Sequence, residues 1–277
     1  FRNNVKKLNE EILIVNEMWD LDTHRRVSQL DGTQADSVMN YPLSDAIIRW
    51  IRWKNVPHIE YTLSELAKYP NNTRDVLWNI LDSHDTPRLA NMLVGEGMNR
   101  EPFAGRVWDI EQPWRGLDSF DTYGFRKWGL DHDEVNKENA RDDVLLASSM
   151  QYMQKGIPIV YYGTEVGLCG NKDPFNRKPY PWNNIDYLLY HHYAAIGFMR
   201  KRYREIFTSG EQQESINEET MKIIRSQGGH QIVMWVNPTE HEVRVNDIDN
   251  GGDEILNIKG CSSKVLSPKG VIAYYYD

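Results

Sequence analysis

The feature that most constrains the fold is an alternation of short apolar segments with longer segments of helical periodicity. Strand-like runs are predicted at residues 12–16, 37–41, 76–83 and 157–162. Helix-like runs are predicted at residues 44–53, 62–69, 139–154 and 185–207. Strands that alternate with helices are typical of parallel sheets, in which each helix crosses back over the sheet. The sequence therefore predicts an α/β fold containing four such units.

The pattern changes near residue 208, where shorter strand-like runs replace the helices. These runs are predicted at residues 221–226, 231–236, 243–246, 255–258 and 271–275. We therefore predict two domains, residues 1–207 and 208–277, and the second is all-β. Residues 95–138 form a long insertion in the first domain, and its tryptophans are interleaved with charged residues. A connection of this length is usually functional or has structure of its own.

Composition and charge exclude several classes of protein. The net charge of −8 disfavours a nucleic-acid partner, because binding to phosphates requires clustered Lys and Arg. No apolar run approaches the roughly 20 residues of a membrane-spanning helix, and no signal-peptide pattern is visible. Cys169 and Cys261 are too few for a disulfide framework. Because the chain begins with Phe1, we expect it to be a trimmed product, a fragment or an internal piece of a longer chain, and its location in the cell stays open.

Two of the strand-like runs end in an acid. Glu17 follows residues 12–16, and Asp85 follows residues 76–83 with His84 beside it. The carboxyl ends of parallel strands meet at one edge of a barrel, where active sites lie. Glycosidases use paired carboxylates to cleave the acetal that links two sugars. The sequence therefore predicts that Glu17 and Asp85 converge on one glycosidic bond.

Several motifs, in the same order along the chain, resemble those of the α-amylase family of glycoside hydrolases, in particular neopullulanases and cyclomaltodextrinases. They are Val-Asn-Glu-Met-Trp at 15–19, Asp-Ser-Val-Met-Asn-Tyr-Pro at 36–42, Ser-His-Asp-Thr at 83–86, Gly-Ile-Pro-Ile-Val-Tyr-Tyr-Gly-Thr-Glu at 156–165, and Asn-Lys-Asp-Pro-Phe-Asn-Arg at 171–177. The resemblance covers nearly the whole chain. It implies the C-terminal half of a (β/α)8 TIM barrel, strands five to eight, followed by an all-β sandwich domain.

The same resemblance implies a retaining glycoside hydrolase that acts on α-glucans such as maltodextrins, cyclodextrins or pullulan. Glu17 then takes the position of the general acid/base, and Asp85 that of the transition-state stabiliser. The implied substrate-binding residues are His84, Asp173, Arg177, Trp19, Asn40 and Tyr41. No cofactor is required, although some relatives bind calcium mainly through the N-terminal half of the barrel. We predict no metal site in this chain, because the adjacent His191 and His192 point about 100° apart on a helix.

The chain departs from the family pattern at three places. Asn16 stands where the family usually has Gly, and Asp82 stands where it often has Gly. The family nucleophile is an Asp two residues after an Arg on the fourth strand. Here that spacing occurs at residues 141–143, at the start of a helical pattern. We therefore expect the isolated chain to be inactive unless the N-terminal half of the barrel, or a second copy, accompanies it.

Two other functions stay open. A non-catalytic half-barrel that binds glucan or scaffolds a partner would have the same fold. Transglycosylation would use the same residues, with a sugar in place of water as the acceptor. Linkage specificity and exo or endo action are also left open by the sequence.

Overall fold

A computed structural model describes residues 1–19, 27–94, 137–171, 173–246, 251–262 and 264–277. The helices are α1 Arg2–Leu8, α2 Tyr41–Trp53, α3 Val56–Ala67, α4 Asn71–Arg74, α5 Leu89–Val94, α6 Lys137–Met153, α7 Tyr187–Arg202 and α8 Arg204–Ser209. The strands are β1 Val15–Asn16, β2 Ser37–Val38, β3 Trp78–Ile80, β4 Ile157–Ile159, β5 Glu211–Ile216, β6 Met221–Gln227, β7 His230–Val236, β8 Val243–Arg244, β9 Asp253–Ile258, β10 Val265–Leu266 and β11 Val271–Tyr276. No helix in these ranges has both the length and the apolar character needed to cross a bilayer.

The first four strands lie side by side in chain order. β1 pairs in parallel with β2, and β3 pairs in parallel with β4. A parallel bridge between Met39 and Trp78 joins the two pairs, and the Asn40 amide donates to the Trp78 carbonyl oxygen at 2.8 Å. The predicted parallel strands are confirmed, although each is only two or three residues long. Their carboxyl ends, which carry the predicted site residues, therefore share one edge.

Helix boundaries differ from the prediction where local chemistry sets the ends. α2 begins at Tyr41 rather than at residue 44, because Pro42 lies in the first turn, where its missing N–H costs nothing. α3 covers Val56–Ala67 rather than 62–69, since the Asn55 side chain caps its start by accepting from the His58 amide at 3.2 Å. The helix predicted at 185–207 is two helices, α7 and α8. Residues 95–136 of the predicted insertion lie outside the described residues.

The core of the α/β part lies between the parallel strands and the helices that pack on them. α2 is buried along almost its whole length, as expected for a helix with apolar residues on most of its surface. Trp50 of α2 is completely buried, and its Nε1 donates to the Asn217 carbonyl oxygen at 3.0 Å. The core therefore continues from α2 into the C-terminal sheet.

The C-terminal part is an antiparallel sheet in the order β5-β6-β7-β11-β9, with β8 and β10 forming a separate ribbon. Ile232 and Met234 of β7 face the helices, whereas Val233 and Trp235 face a second, smaller apolar cluster with Leu266. This alternation follows from the period of two along a strand. The prediction omitted β5, because its sequence from Glu211 to Ser215 is entirely polar and resembles a loop.

Arg225 of β6 connects the sheet to the helices. Its side chain is completely buried, and it donates to the backbone carbonyl oxygens of Met153 at 3.2 Å, Ile206 at 3.1 Å, Phe207 at 3.0 Å and Gly210 at 3.3 Å. Burial lowers the pKa of this guanidinium to about 10. Arg225 thus donates hydrogen bonds to carbonyl groups at the ends of α6 and α8, where helical carbonyl groups lack enough partners within the helix.

Candidate active site

Glu17 lies just beyond β1, at the edge where the parallel strands end. Its Oε1 accepts a hydrogen bond from Trp19 Nε1 at 2.9 Å. Glu17 is exposed in the described part of the chain, although it follows an apolar strand. Met18 is buried instead, because successive side chains of an extended segment point in opposite directions. Glu17 is therefore accessible to a ligand.

Trp19 and Tyr41 form a stacked pair beside Glu17, with ring centroids 3.6 Å apart and an interplanar angle of 10°. Tyr41 is buried as a result, and its hydroxyl donates to Ser83 Oγ at 3.1 Å. The resemblance implied direct sugar contact for Tyr41, whereas here its ring is covered by Trp19. Tyr41 therefore packs against one face of the half-buried Trp19 ring and holds it beside Glu17.

Both predicted acids affect the pKa of the Tyr41 hydroxyl. Burial raises the pKa of the Tyr41 hydroxyl to about 12, and the negative charges of Glu17 and Asp85 add to this effect. The hydrogen bond to Ser83 opposes it. Ser83 Oγ also accepts the Asp85 amide at 3.1 Å. Glu17 and Asp85 thus both lie close enough to Tyr41 for their charges to act on its hydroxyl.

Asp85 follows β3 and is paired on both carboxylate oxygens. His84 Nε2 lies 3.2 Å from Asp85 Oδ2, and Arg177 Nη2 lies 3.3 Å from Asp85 Oδ1. Arg177 also contacts Asp173, with Nε 3.2 Å from Oδ1. The structure therefore brings four predicted site residues together, and Arg177 bridges the two acids. Their side chains are between 38% and 62% exposed, which leaves them open to a polar ligand.

The loop that carries Asp173 and Arg177 is held by buried amides that the sequence analysis missed. Asn176 Nδ2 donates to the carbonyl oxygens of His84 and Thr86. Asn91 Oδ1 accepts the Gly170 amide at 2.7 Å. Gly170 has no room for a side chain, because a Cβ atom there would lie 2.1 Å from the Phe175 carbonyl oxygen. The sequence offered one signal for Asn176, which directly precedes the predicted site residue Arg177.

Asn40, which was predicted to bind substrate, is buried in the structure. The resemblance implied a sugar contact, but Asn40 is only 1% exposed. Its Nδ2 donates to Asn79 Oδ1 at 2.9 Å, and Asn79 in turn donates to the Lys155 carbonyl oxygen at 2.7 Å. Asn40 faces inward because α2 begins at the next residue and turns the chain over the strand ends. It is part of a buried polar network between strands.

Asn16 and Asp82, two of the departures from the family pattern, also have internal partners. Asp82 is buried, and its Oδ2 accepts the Leu89 amide at 2.8 Å and Thr164 Oγ1 at 2.7 Å. Burial raises the pKa of Asp82 to about 6. Asn16 donates through its side-chain amide to Gln29. Asp82 therefore joins the end of β3 to the loop after β4 rather than adding an exposed charge beside Asp85.

The triplet at residues 141–143 lies on α6, away from the strand ends. Arg141 pairs with Asp186, Asp142 with Lys259, and Asp143 with Lys269. These partners lie at the start of α7 and in the C-terminal part of the chain. The triplet therefore does not supply a carboxylate to the site.

The histidines of α7 do not form a metal site. Burial lowers the pKa of His192 to about 4, and its Nε2 lies 2.9 Å from Ser148 Oγ. His191 is exposed. Within the described ranges, no group of three or more His, Cys, Asp or Glu side chains is arranged to hold a metal ion.

The chain is similar to known proteins in sequence and in fold. No protein-family model matches the chain. A cyclomaltodextrinase from Geobacillus thermopakistaniensis is 26% identical over 266 residues, which cover 93% of this chain and 37% of that protein. Neopullulanase 2 from Thermoactinomyces vulgaris is 32% identical over 186 residues, which cover 66% of this chain and 23% of that protein.

Among solved structures, the ligand-free cyclic alpha-maltosyl-(1→6)-maltose hydrolase from Arthrobacter globiformis matches with a TM-score of 0.68 at 22% identity. The match covers 100% of this chain and 51% of that one. A debranching enzyme from Nostoc punctiforme, soaked with acarbose, matches with a TM-score of 0.70 at 20% identity, over 99% of this chain and 53% of that one. The chain therefore spans between about a quarter and about half of the length of these relatives.

Proposed function

Because the chain is a homologue of cyclomaltodextrinases and neopullulanases and has the fold of part of an α-amylase-type TIM barrel, we propose that it forms part of a retaining glycoside hydrolase acting on α-glucans. The observation that carries this proposal is a chain of contacts between the two acids. Trp19 donates to Glu17 and stacks on Tyr41. The Tyr41 hydroxyl donates to Ser83 Oγ, which also accepts the Asp85 amide. In the proposed enzyme, β1 to β4 are barrel strands five to eight. Residues 208–277 form the C-terminal β-domain.

Each acid has a distinct part in the proposed reaction. Glu17 is exposed and donates a proton to the leaving glycosidic oxygen, then accepts one from the attacking water. Asp85 holds sugar hydroxyls whose hydrogen bonds strengthen as positive charge develops on the ring. His84, Asp173 and Arg177 bind the neighbouring sugar through charge-assisted hydrogen bonds. The half-buried Trp19 offers an aromatic surface beside Glu17.

The reaction also needs a nucleophile about 5–5.5 Å from the general acid. The triplet at 141–143 does not supply it, because its acids are paired with lysines elsewhere. We therefore propose that the nucleophile comes from the other half of the barrel, or from a second copy of the chain, and that the chain alone is inactive.

Exposed apolar side chains support the proposal that such a partner binds. Leu13, which precedes β1, is 55% exposed, and Ile157 of β4 is 40% exposed. On α7, Tyr187 and Phe198 are 63% and 65% exposed. The described structure shows no neighbour beyond β1 or β4, so the two outer strands present open edges that a closed barrel would cover.

The test is to supply the chain with a polypeptide that carries the first four barrel strands and to measure the hydrolysis of maltodextrin and cyclodextrin. We expect turnover from the combination and none from the chain alone. Glu17→Gln should lower kcat by about 10²–10⁴-fold, because the amide cannot transfer the proton. Glu11→Gln, the same chemical change at an exposed position before β1, should leave kcat unchanged.

Full activity of the Glu17→Gln variant would refute the assigned role. Binding of maltooligosaccharides by calorimetry, without turnover by the combination, would replace the proposal with a non-catalytic glucan-binding function. Product analysis with added sugar acceptors would separate hydrolysis from transglycosylation.

A further inference from the structure

Asn176 lies on the 3-10 turn Phe175–Arg177, and its side chain is completely buried. Its Nδ2 donates to the carbonyl oxygen of His84 at 2.7 Å and to that of Thr86 at 2.8 Å. These two carbonyl groups belong to the residues on either side of Asp85. A single amide therefore holds the backbone on both sides of the proposed transition-state stabiliser.

The same turn places Arg177 against the Asp85 carboxylate. Arg177 follows Asn176 directly, so fixing Asn176 fixes the start of the arginine side chain. The side chains of Arg177, Asp85 and Asp173 are each more than one third exposed, and exposed ion pairs contribute little to stability. The ion pairs alone are too weak to hold this loop. The two hydrogen bonds that Asn176 Nδ2 donates are better shielded from water and add to them.

We infer that Asn176 is a positioning residue that sets the separation of Asp85 and Arg177 in the site. Only an amide or a similar double donor satisfies both carbonyl groups, since a carboxylate at this position would place an oxygen against two other oxygens. The effect of Asn176 on turnover rests on the proposed function. Its effect on the geometry of Arg177 does not.

The geometric test follows the Arg177 Nε–H resonance by NMR, with the assignment made from its loss in Arg177→Lys. In Asn176→Asp this resonance should shift and broaden, because the turn is released from residues 84–86. Asn184→Asp is the matched control, since it makes the same charge change at an exposed position on the same loop. An Arg177 resonance unchanged in Asn176→Asp would overturn the inference. If that variant does not fold, as judged by circular dichroism, the same resonance is followed in Asn176→Ser, which retains one donor. A shift supports the inference, and an unchanged resonance overturns it.

The functional test uses the chain combined with the first half of the barrel. Asn176→Asp should lower kcat/KM by about 100-fold, because small displacements in an active site have effects of this size. In an Arg177→Met background the same substitution should cost only a few-fold, since the contact it positions is already absent. Fully additive losses would show that Asn176 acts only on general stability. If the unmodified chain has no activity when it is combined with the first half of the barrel, the proposed function fails. The Arg177 resonance in Asn176→Asp still tests whether Asn176 positions Arg177.

Discussion

Replacing the buried Asp82 by Asn should stabilise the protein at neutral and alkaline pH. The Asp82 carboxylate accepts hydrogen bonds from the Leu89 amide and the Thr164 hydroxyl through the same oxygen. An Asn side chain can present its carbonyl oxygen to both donors. The substitution therefore keeps the link between the end of β3 and the loop after β4, and removes only the negative charge.

The magnitude follows from the pKa of Asp82. Burial raises this pKa from 3.8 to about 6, with the Leu89 and Thr164 hydrogen bonds and the positive charge of Arg88 opposing the shift. Between these two pH values the folded state binds more protons than the unfolded state, so stability decreases as the pH rises through this window. Above it, the ionised carboxylate costs about 3 kcal/mol. Asp82→Asn should recover up to about this amount at about pH 8 and nothing below about pH 4.

The assay is urea unfolding of the unmodified protein and of Asp82→Asn across that pH range. The exposed Asp31→Asn is the control, because it makes the same charge change where hydrogen bonds from Thr33 lower the pKa of the carboxyl. The buried His192, whose pKa is lowered to about 4, titrates in the same window, but its contribution cancels between the proteins. If Asp82→Asn were equally destabilising at both ends of the range, the reasoning from burial would be refuted.

Three further outcomes are expected from the described structure. Arg225→Met should lower the free energy of unfolding by about 3 kcal/mol, measured by urea denaturation, because four buried carbonyl groups each lose a hydrogen bond. An unchanged midpoint would contradict this. Gly170→Ala should cost about 2 kcal/mol in the same assay, since its Cβ would meet backbone, and native stability in this variant would show that the loop yields freely. Cys169 and Cys261 are both buried, so a thiol reagent should modify them only after unfolding; rapid reaction of the native protein would disprove this.

The positions of the parallel strands could be predicted because their signal is local. The observed strands β2 and β4 fall inside the strand-like runs predicted at 37–41 and 157–162. The placement of Glu17 and Asp85 at one edge followed from parallel topology alone. β5 escaped prediction because its polar residues take their strand structure from pairing with β6. Pairing with a distant partner is not visible in a local pattern.

What the sequence determined by itself is the order of the strands and the type of residue at each strand end, since both follow from short-range patterns of apolar and polar side chains. Only the tertiary structure decided which polar side chains face the site and which are buried. Asn40 and Asn176 are both asparagines near a strand end or its loop, and both are buried by contacts with residues far away in sequence. Exposure depends on which elements cover a side chain, and that is a property of long-range packing.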